Sequence, residues 1–376
     1  MAIKINVRSP YFIKAQNASL KAIELNLYIW DGVEGSTPAS AQYSFVKNTI
    51  GSNDYIAFEI ADYVRDYIVT EYNQYATNAV WVKWDYQMFS NVSRAPGTEI
   101  GSLVSSAAYL AVDGYGFFED GAMPSLSNDL LQDNLDIYYN DGSDIVFALY
   151  DEGASLVQLG DGDVNVVYWE QVEEYWDTYN ATWDSGGTEQ VIGDSTDSSN
   201  KIVYVKITDT ANLPDKETVT ITLAPSGTKT LNLYKICEPK YTPFNIIFYN
   251  KYGAMQNLWF FKRSNKSINV TSDSFKRNTI DFASTPTYNT AEHQVKSFNV
   301  NAKESITLNT GFMPEDFNNL ITQLLMSEEV WIDNGTQVLP VSAKTSSLEY
   351  KTSVNNKLID YSLEFEYAFD KINNIR

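Results

Sequence analysis

Apolar and polar residues alternate along most of this chain, which is the pattern of β-strands with one buried face. In residues 23–30 the alternation runs for eight positions and ends at Asp31-Gly32, a hairpin-type turn signal. Similar alternating or continuously apolar runs recur at residues 43–46, 79–88, 144–150, 164–169, 202–207, 219–223, 231–236, 245–249, 258–261, 300–308, 330–332 and 358–369. The pattern predicts an all-β fold that is mainly antiparallel.

Two segments follow helical spacing instead. In residues 58–68, apolar side chains recur every three or four positions, at Ile60, Val64, Tyr67 and Ile68. The second segment begins at Pro314 and has acidic residues in its first turn, as helix N-termini prefer. Its apolar residues share one face: Phe317, Leu320, Ile321, Leu324 and Leu325. We therefore expect one short helix near 58–68 and one helix near 314–326.

The length of 376 residues is enough for two to three β-sandwich or barrel-like domains. Residues 1–125 fit a fibronectin-like β-sandwich with one helical connection. Residues 126–239 form a second β domain, interrupted by the Gly-, Ser- and Asp-rich stretch 184–200. Residues 240–376 form a C-terminal β domain with one packed helix.

The charge of the chain narrows its range of partners. Lys and Arg number 27 against 48 Asp and Glu, a net charge of −21, so direct nucleic-acid binding is not expected. The first ten residues lack the apolar core of a secretory signal, and no run of 18 apolar residues occurs. We expect a protein that folds in a cytoplasm and has no membrane span.

Candidate chemistry is sparse. One Cys (Cys237) and one His (His293) exclude an intrachain disulfide and a cysteine-cluster metal site. Cys237 ends an apolar strand, which favours a small buried hydrophobe over a nucleophile activated by His293. We therefore expect no enzymatic activity; the alternative is an acid/base pair among the 48 carboxylates, as in polysaccharide-cleaving enzymes.

Two oxygen-rich loops are candidate calcium ligands, and no other cofactor is indicated. They are Asp161-Gly162-Asp163 and Asp194-Ser195-Thr196-Asp197. Neither has the full spacing of an EF-hand loop. We interpret them as solvated turns, with Ca²⁺ binding as the alternative.

Residues 168–183 are unusually aromatic. Trp169, Trp176 and Trp183 recur every seven residues, with Tyr168 and Tyr179 among them. Exposed indole rings can stack on sugars, whereas clustered Tyr and Trp also form cores and subunit interfaces. Trp169, Trp176, Tyr179 and Trp183 are therefore candidate interface or glycan contacts.

Several runs resemble virion structural proteins of tailed bacteriophages, especially those of marine and Bacteroidota hosts. The runs are residues 237–243 (CEPKYTP), 246–253 (IIFYNKYG), 258–262 (LWFFK), 324–331 (LLMSEEVW), 7–12 (VRSPYF) and 27–32 (LYIWDG), with the closing strand 358–369. The resemblance implies a ring-forming tail, collar or baseplate subunit in the virion, assembled in the host cytoplasm. It implies partners among tail and neck proteins and among copies of the chain itself, and it brings no active site. The alternative function is host adsorption through glycans bound by the Tyr168–Trp183 cluster.

Replacing Trp169, Trp176 and Trp183 together with Ser separates the three interpretations of that cluster. We expect an interface cluster to reduce incorporation into particles while the free chain melts as before, because buried aromatic rings supply much of the association energy. A glycan platform would instead leave particles intact but unable to adsorb to cells. A melting curve of the free chain identifies the third case, an intrachain core.

Overall fold

The structure is a computed structural model. It describes residues 4–72, 79–124, 130–151, 155–159, 166–169, 189–192, 201–207, 210–223, 227–238, 240–345 and 359–372. Of the chain, 53% lies in strands, and the described residues contain two α-helices. The prediction of an all-β fold with mainly antiparallel pairing is confirmed.

The described strands and helices fall into three groups along the chain. The first group is β1 (Lys4–Asn6), β2 (Phe12–Gln16), β3 (Ala22–Trp30), β4 (Tyr43–Asn48), β5 (Tyr55–Glu59), α1 (Ala61–Arg65), β6 (Ala79–Phe89), β7 (Glu99–Ser105) and β8 (Tyr109–Val112). The second group is β9 (Asp136–Asn140), β10 (Ile145–Asp151), β11 (Ser155–Leu159), β12 (Val166–Trp169), β13 (Glu189–Ile192), β14 (Lys201–Ile207), β15 (Lys216–Leu223) and β16 (Gly227–Ile236). The third group is β17 (Phe244–Tyr249), β18 (Met255–Phe260), β19 (Asn265–Lys276), β20 (Ile280–Asp281), β21 (Thr287–Tyr288), β22 (Val295–Met313), α2 (Phe317–Met326), β23 (Val330–Asp333), β24 (Val338–Ala343) and β25 (Ile359–Tyr367).

The first group forms a sandwich-like layer pair. One sheet has the order β1-β8-β6-β3-β4, with β7 also paired to β6, and the hairpin β2–β5 forms a separate two-stranded sheet. The alternating residues of β3 at 23, 25, 27 and 29 are buried, as their spacing predicts. They share one core with residues of β1, β2, β5, α1, β6 and β8.

Helix α1 is shorter than predicted. Residue 58 lies in β5, and the helix spans only Ala61–Arg65. Its start is fixed because the carboxylate of Glu59 accepts the N–H groups of Ala61 and Tyr11, at 2.9 and 3.3 Å. Ile60 and Val64 are buried as expected, but the ring of Tyr67 is 40% exposed, so the predicted apolar face is wrong at that position.

The remaining strands form sheets of three, five and seven strands and the two-stranded β20–β21 sheet. The middle of the chain has a three-stranded sheet in the order β10-β14-β12 and a five-stranded sheet in the order β13-β11-β15-β16-β9. The third group forms a seven-stranded sheet in the order β18-β17-β23-β24-β25-β22-β19. The chain divides into two compact units. Unit 1 is Met1–Cys237, Ile247–Leu258 and Asn319–Ser327, and unit 2 is Glu238–Ile246, Trp259–Asn318 and Glu328–Arg376.

The turn between β17 and β18 organises unit 1. Asn250 is 1% exposed and its amide makes four hydrogen bonds. The amide nitrogen donates to the Leu131 carbonyl at 2.7 Å and to Gln256 at 3.0 Å, and the amide oxygen accepts the N–H groups of Tyr252 and Ala254. A side chain with every donor and acceptor satisfied offsets the cost of its burial and fixes the turn.

Neighbouring residues of the same turn bind three further segments of unit 1. The Lys251 ammonium lies 2.8 Å from Asp133, which also accepts hydrogen bonds from Tyr252 and from Gln323 of α2. The Lys251 carbonyl accepts the Tyr115 N–H at 2.9 Å. At Gly253, φ is +73°, and a Cβ there would lie 2.9 Å from the Asp113 nitrogen, so both conformation and space require glycine.

We call the β17–β18 turn and the segments bound to it the junction. Tyr204 of β14 contributes a further contact to it. Its buried hydroxyl accepts the N–H of Met255 at 2.8 Å, and burial raises the pKa of the phenol well above its usual value. The neutral hydroxyl is therefore retained at any pH the protein tolerates. Sequence patterns predicted Tyr204 as a strand residue but gave no indication of this hydrogen bond.

Helix α2 begins at Phe317, three residues after Pro314, close to the predicted position. Phe317, Leu320, Ile321 and Leu324 are buried as expected. The same helix buries Gln323, whose amide also accepts the Lys251 N–H at 3.1 Å. The apolar pattern in the sequence therefore predicts only part of the contacts of this helix, because α2 also contributes the hydrogen bonds of Gln323 to unit 1.

Replacing Leu324 with Asp is expected to destabilise the protein by about 3–5 kcal/mol, because the carboxylate would be buried without a partner. Asn319→Asp is the matched control, since Asn319 is exposed on the same helix and should change stability by less than about 0.5 kcal/mol. Denaturant unfolding followed by Trp fluorescence measures both. Equal midpoints for the two variants would show that the helix face is not buried.

Tyr204→Phe is expected to cost about 1–3 kcal/mol, because it leaves the buried Met255 N–H without an acceptor. Tyr139→Phe is the control: Tyr139 is equally buried, and its hydroxyl has no hydrogen-bond partner among the described residues. The same unfolding measurement should leave Tyr139→Phe close to the parent. Loss of stability in both variants would contradict the role assigned to the Tyr204 hydroxyl.

Candidate interaction surface

The longest exposed feature of unit 2 is a two-stranded ribbon that the sequence did not predict. We call residues 265–300 the arm: β19, the first part of β22, and the β20–β21 hairpin between them. Every arm residue is exposed except Thr279, which is half-buried. β19 is the last strand of the seven-stranded sheet, so one of its edges has no neighbour among the described strands.

The register of β19 on β22 determines which arm residues share a face. Ile268 lies opposite Glu304 and Val270 opposite Ala302, beyond which Ile306 and Leu308 of β22 are buried. Because side chains alternate along a strand, these residues occupy one face of the sheet. The apolar, core-side face of the sheet therefore continues onto the arm, where Ile268 and Val270 are 53% and 62% exposed. We call Lys266, Ile268, Val270, Lys276 and Val295 the apolar arm face.

The opposite arm face and the arm tip carry aromatic rings. Phe275 and Phe298 contact each other edge-on at 5.8 Å between ring centroids. At the tip, Phe282 and Tyr288 are about two-thirds exposed, at 66% and 67%. Nine large apolar side chains of the arm are exposed in total: Ile268, Val270, Phe275, Ile280, Phe282, Tyr288, Val295, Phe298 and Val300.

Local contacts give the arm a defined shape. A β-bulge shifts the register between Thr271 and Asp273, and Asn299 opposite it has a φ of 49°. The Asn299 amide donates to Asp273 at 3.0 Å. At the tip, Arg277 forms a 2.9 Å ion pair with Glu292 and donates to the His293 carbonyl. These contacts order the arm without covering its apolar side chains.

A second surface lies on unit 1, beside α1 and the edge strand β4. Tyr43 and Phe45 of β4 are half-buried and stack on one another; both contact Tyr63, and Tyr43 also contacts Tyr67. Burial, and then the hydrogen bond with Tyr67, raise the pKa of Tyr43. Asp62 in α1 and Asp66 directly after the helix are exposed. We call Tyr43, Phe45, Asp62, Tyr63, Asp66 and Tyr67 the α1 surface.

The residues predicted as interface or glycan contacts are only partly visible. Trp169 ends β12, whose backbone pairs with β14 so that Trp169 lies opposite Tyr204. Trp176, Tyr179 and Trp183 lie outside the described residues, so the predicted cluster stays a prediction. The α1 surface was missed because its rings come from two separate elements and α1 is only five residues long.

The interpretation of Cys237 as a buried hydrophobe is wrong. Cys237 follows the last residue of β16 and is exposed, because the buried part of the strand, Leu231 and Leu233, ends before Cys237. His293 lies on the arm, next to the Arg277 contact, and is also exposed. Neither residue sits in a buried pocket of polar groups among the residues that the structure describes.

Metal ligands do not cluster in the part of the chain that the structure describes, where no group of three His, Cys, Asp or Glu side chains is placed to hold an ion. The loops around Asp161 to Asp163 and Asp194 to Asp197, proposed as solvated turns or calcium ligands, lie outside that part. Among the described residues no helix is long and apolar enough to cross a membrane.

Comparison with known proteins adds no functional assignment. No protein-family model and no curated protein matches the chain. Among solved structures, the calcium-binding fragment CBD12 of CALX1.2 is 10% identical, covering 60% of this chain and 78% of its own, at a TM-score of 0.17. CBD12 of CALX1.1 is 13% identical, covering 59% and 78%, also at 0.17. TM-scores this low carry no argument about fold or ligand.

Proposed function

We propose that this chain is a non-enzymatic structural subunit of a tailed-phage virion, a ring-forming component of the tail, collar or baseplate. The observation that carries the proposal is the arm, which extends an apolar sheet face into solvent. Nine exposed apolar side chains on one 36-residue ribbon do not stabilise a protein that has no partner. Exposed apolar surface of this kind marks contact with another protein.

The edge of the arm supports the same function. A sheet edge presents unpaired N–H and C=O groups, and natural proteins shorten, cover or charge such edges. Here β19 is 12 residues long and exposed throughout. A long exposed edge beside an apolar face is expected of a strand that another protein covers in the assembled particle.

The charge distribution fits a subunit that stays separate until it assembles. A net charge of −21 keeps free copies soluble through mutual repulsion. The resemblance of residues 237–262 and 324–331 to tail proteins gives the assembly its proposed identity. The proposed location is the virion, after folding in the host cytoplasm.

The test is to purify phage particles by density gradient and to locate the chain in them with an antibody. We expect the chain in particles at a fixed copy number, with label confined to the tail, collar or baseplate. Absence from purified particles, although the chain is present in the lysate, would refute the proposal. So would polysaccharide hydrolysis by the purified chain that a single Asp→Asn or Glu→Gln change abolishes.

Glycan binding is the second candidate function. It is favoured by the exposed tyrosine rings of the α1 surface, since aromatic rings beside carboxylates suit the C–H faces and hydroxyls of sugars, and by the sequence of Tyr168–Trp183. A subunit with this function would bind host polysaccharide directly, which quenching or enhancement of Trp fluorescence on titration with that polysaccharide reports. Calcium at Asp161–Asp163 or Asp194–Asp197 stays a prediction, tested by melting the chain with and without a chelator.

A further inference from the structure

We infer that the occupant of the arm is a second copy of this chain: the apolar arm face of one subunit docks on the α1 surface of the next, head to tail. The inference rests on the proposed structural function and names its partner. A head-to-tail contact uses two different surfaces of each copy, so it closes into a ring when the rotation between copies allows it.

The first argument is the division of charge along the chain. Residues 1–237 contain 13 Lys and Arg against 33 Asp and Glu, a net charge of −20, whereas residues 238–376 contain 14 against 15. The arm itself contains four cations against three carboxylates. The arm is therefore a cationic element on a strongly acidic chain, and the acidic residues available to it in a second copy lie mostly in residues 1–237.

The second argument is which charged groups of the arm have a partner within it. Asp273 accepts the Asn299 amide, Asp281 accepts the Ala283 N–H at 2.9 Å, and Glu292 pairs with Arg277. Lys266, Lys276 and Lys296 have no ion-pair partner among the described residues. The arm thus presents free ammonium groups, two of them (Lys266 and Lys276) at the two ends of the apolar arm face.

The third argument is the composition of the α1 surface. It combines the rings of Tyr63 and Tyr67, which are 39% and 40% exposed, with Asp62 and Asp66, and neither carboxylate has an ion-pair partner among the described residues. Asp62 lies in α1 and Asp66 directly follows the helix, so the two carboxylates are about one helical turn apart. The two rings can cover Ile268 and Val270 while the carboxylates meet Lys266, which lies two residues from Ile268 on the same arm face, and this gives both apolar and charge complementarity. Lys276 is ten residues from Lys266, roughly 33 Å along the strand, and lies outside this contact.

The size of the arm limits the strength of a single contact. Twelve residues of strand extend for about 40 Å. Two strands are about 10 Å wide, so the one face that docks offers on the order of 400 Å² per partner, which is the size of a weak contact. In a closed ring each copy makes two such contacts, so closure strengthens the assembly.

The first experiment measures association by sedimentation velocity over a range of protein concentrations. We expect the parent chain to form oligomers. The double variant Ile268→Asp with Val270→Asp should associate at least about tenfold more weakly. Both side chains are exposed, so the melting temperature of the dilute variant should not change. The matched control is Asn269→Asp with Thr271→Asp, which adds the same charge to the same strand on its other face and should associate like the parent.

The second experiment is a charge exchange. Lys266→Glu reverses the arm charge beside Ile268, and Asp62→Lys with Asp66→Lys reverses the α1 surface. Each variant alone should fail to associate, because like charges then meet at every contact. An equimolar mixture should associate, since each arm in an alternating assembly then meets an α1 surface of opposite charge.

Three outcomes would overturn the inference: a parent chain that stays monomeric at all concentrations, unchanged association of the Ile268→Asp and Val270→Asp variant, or a charge-exchange mixture that stays monomeric. These differ from failure of the proposed function. A chain that is monomeric alone but present in particles, and lost from them when the arm is changed, keeps its virion role with another protein on the arm. A chain that associates through the arm but is absent from particles keeps the self-contact and loses the virion role.

Discussion

The buried amide of Asn250 is the constraint on which unit 1 depends. Its four hydrogen bonds fix the β17–β18 turn. Residues of this turn and of the start of β18 then bind segments that are at least 51 residues away in sequence. Asp133, Tyr115 and Tyr204 precede the turn, whereas Gln323 follows it on α2. Unit 1 is therefore complete only when residues 247–258 and 319–327 have joined the first 237. Such distant contacts are expected to form late in folding.

The junction and the arm differ in whether the contacts of their strands are completed within the chain. At the junction, buried polar groups are satisfied by partners within the chain, so the surrounding strands have one stable arrangement. On the arm, β19 and β22 extend beyond the segment that pairs with β25, and their apolar side chains stay exposed. Pairing of Ser305–Met313 with β25 anchors its base, and the hydroxyls of Ser267 and Ser305 contact each other at 2.7 Å. Beyond that base only two strands remain, which is marginally stable without a further contact.

Sequence patterns predicted the buried strands and α2 well, because alternation and helical spacing both report a single apolar face. They failed on the arm for the same reason. β19 reads NKSINVTSDSFK, in which the apolar alternation is limited to Ile268 and Val270, so no continuous apolar face marks it as a strand. Cys237 was placed in the core because it follows an apolar run, although the run ends one residue earlier. The hydrogen bonds of Asn250, Gln323 and Tyr204 join residues distant in sequence, and no local pattern encodes them.

The β-bulge of the arm has a consequence for colloidal behaviour. A straight, apolar strand edge would accept any other strand, and identical chains would then stack without limit into fibrils. The register shift between Thr271 and Asp273 twists the edge, and Lys266 and Lys276 place charge near its two ends. A stack of identical edges would bring the lysines of successive copies together. The arm therefore penalises indefinite stacking and still leaves its apolar face open to one complementary acidic surface.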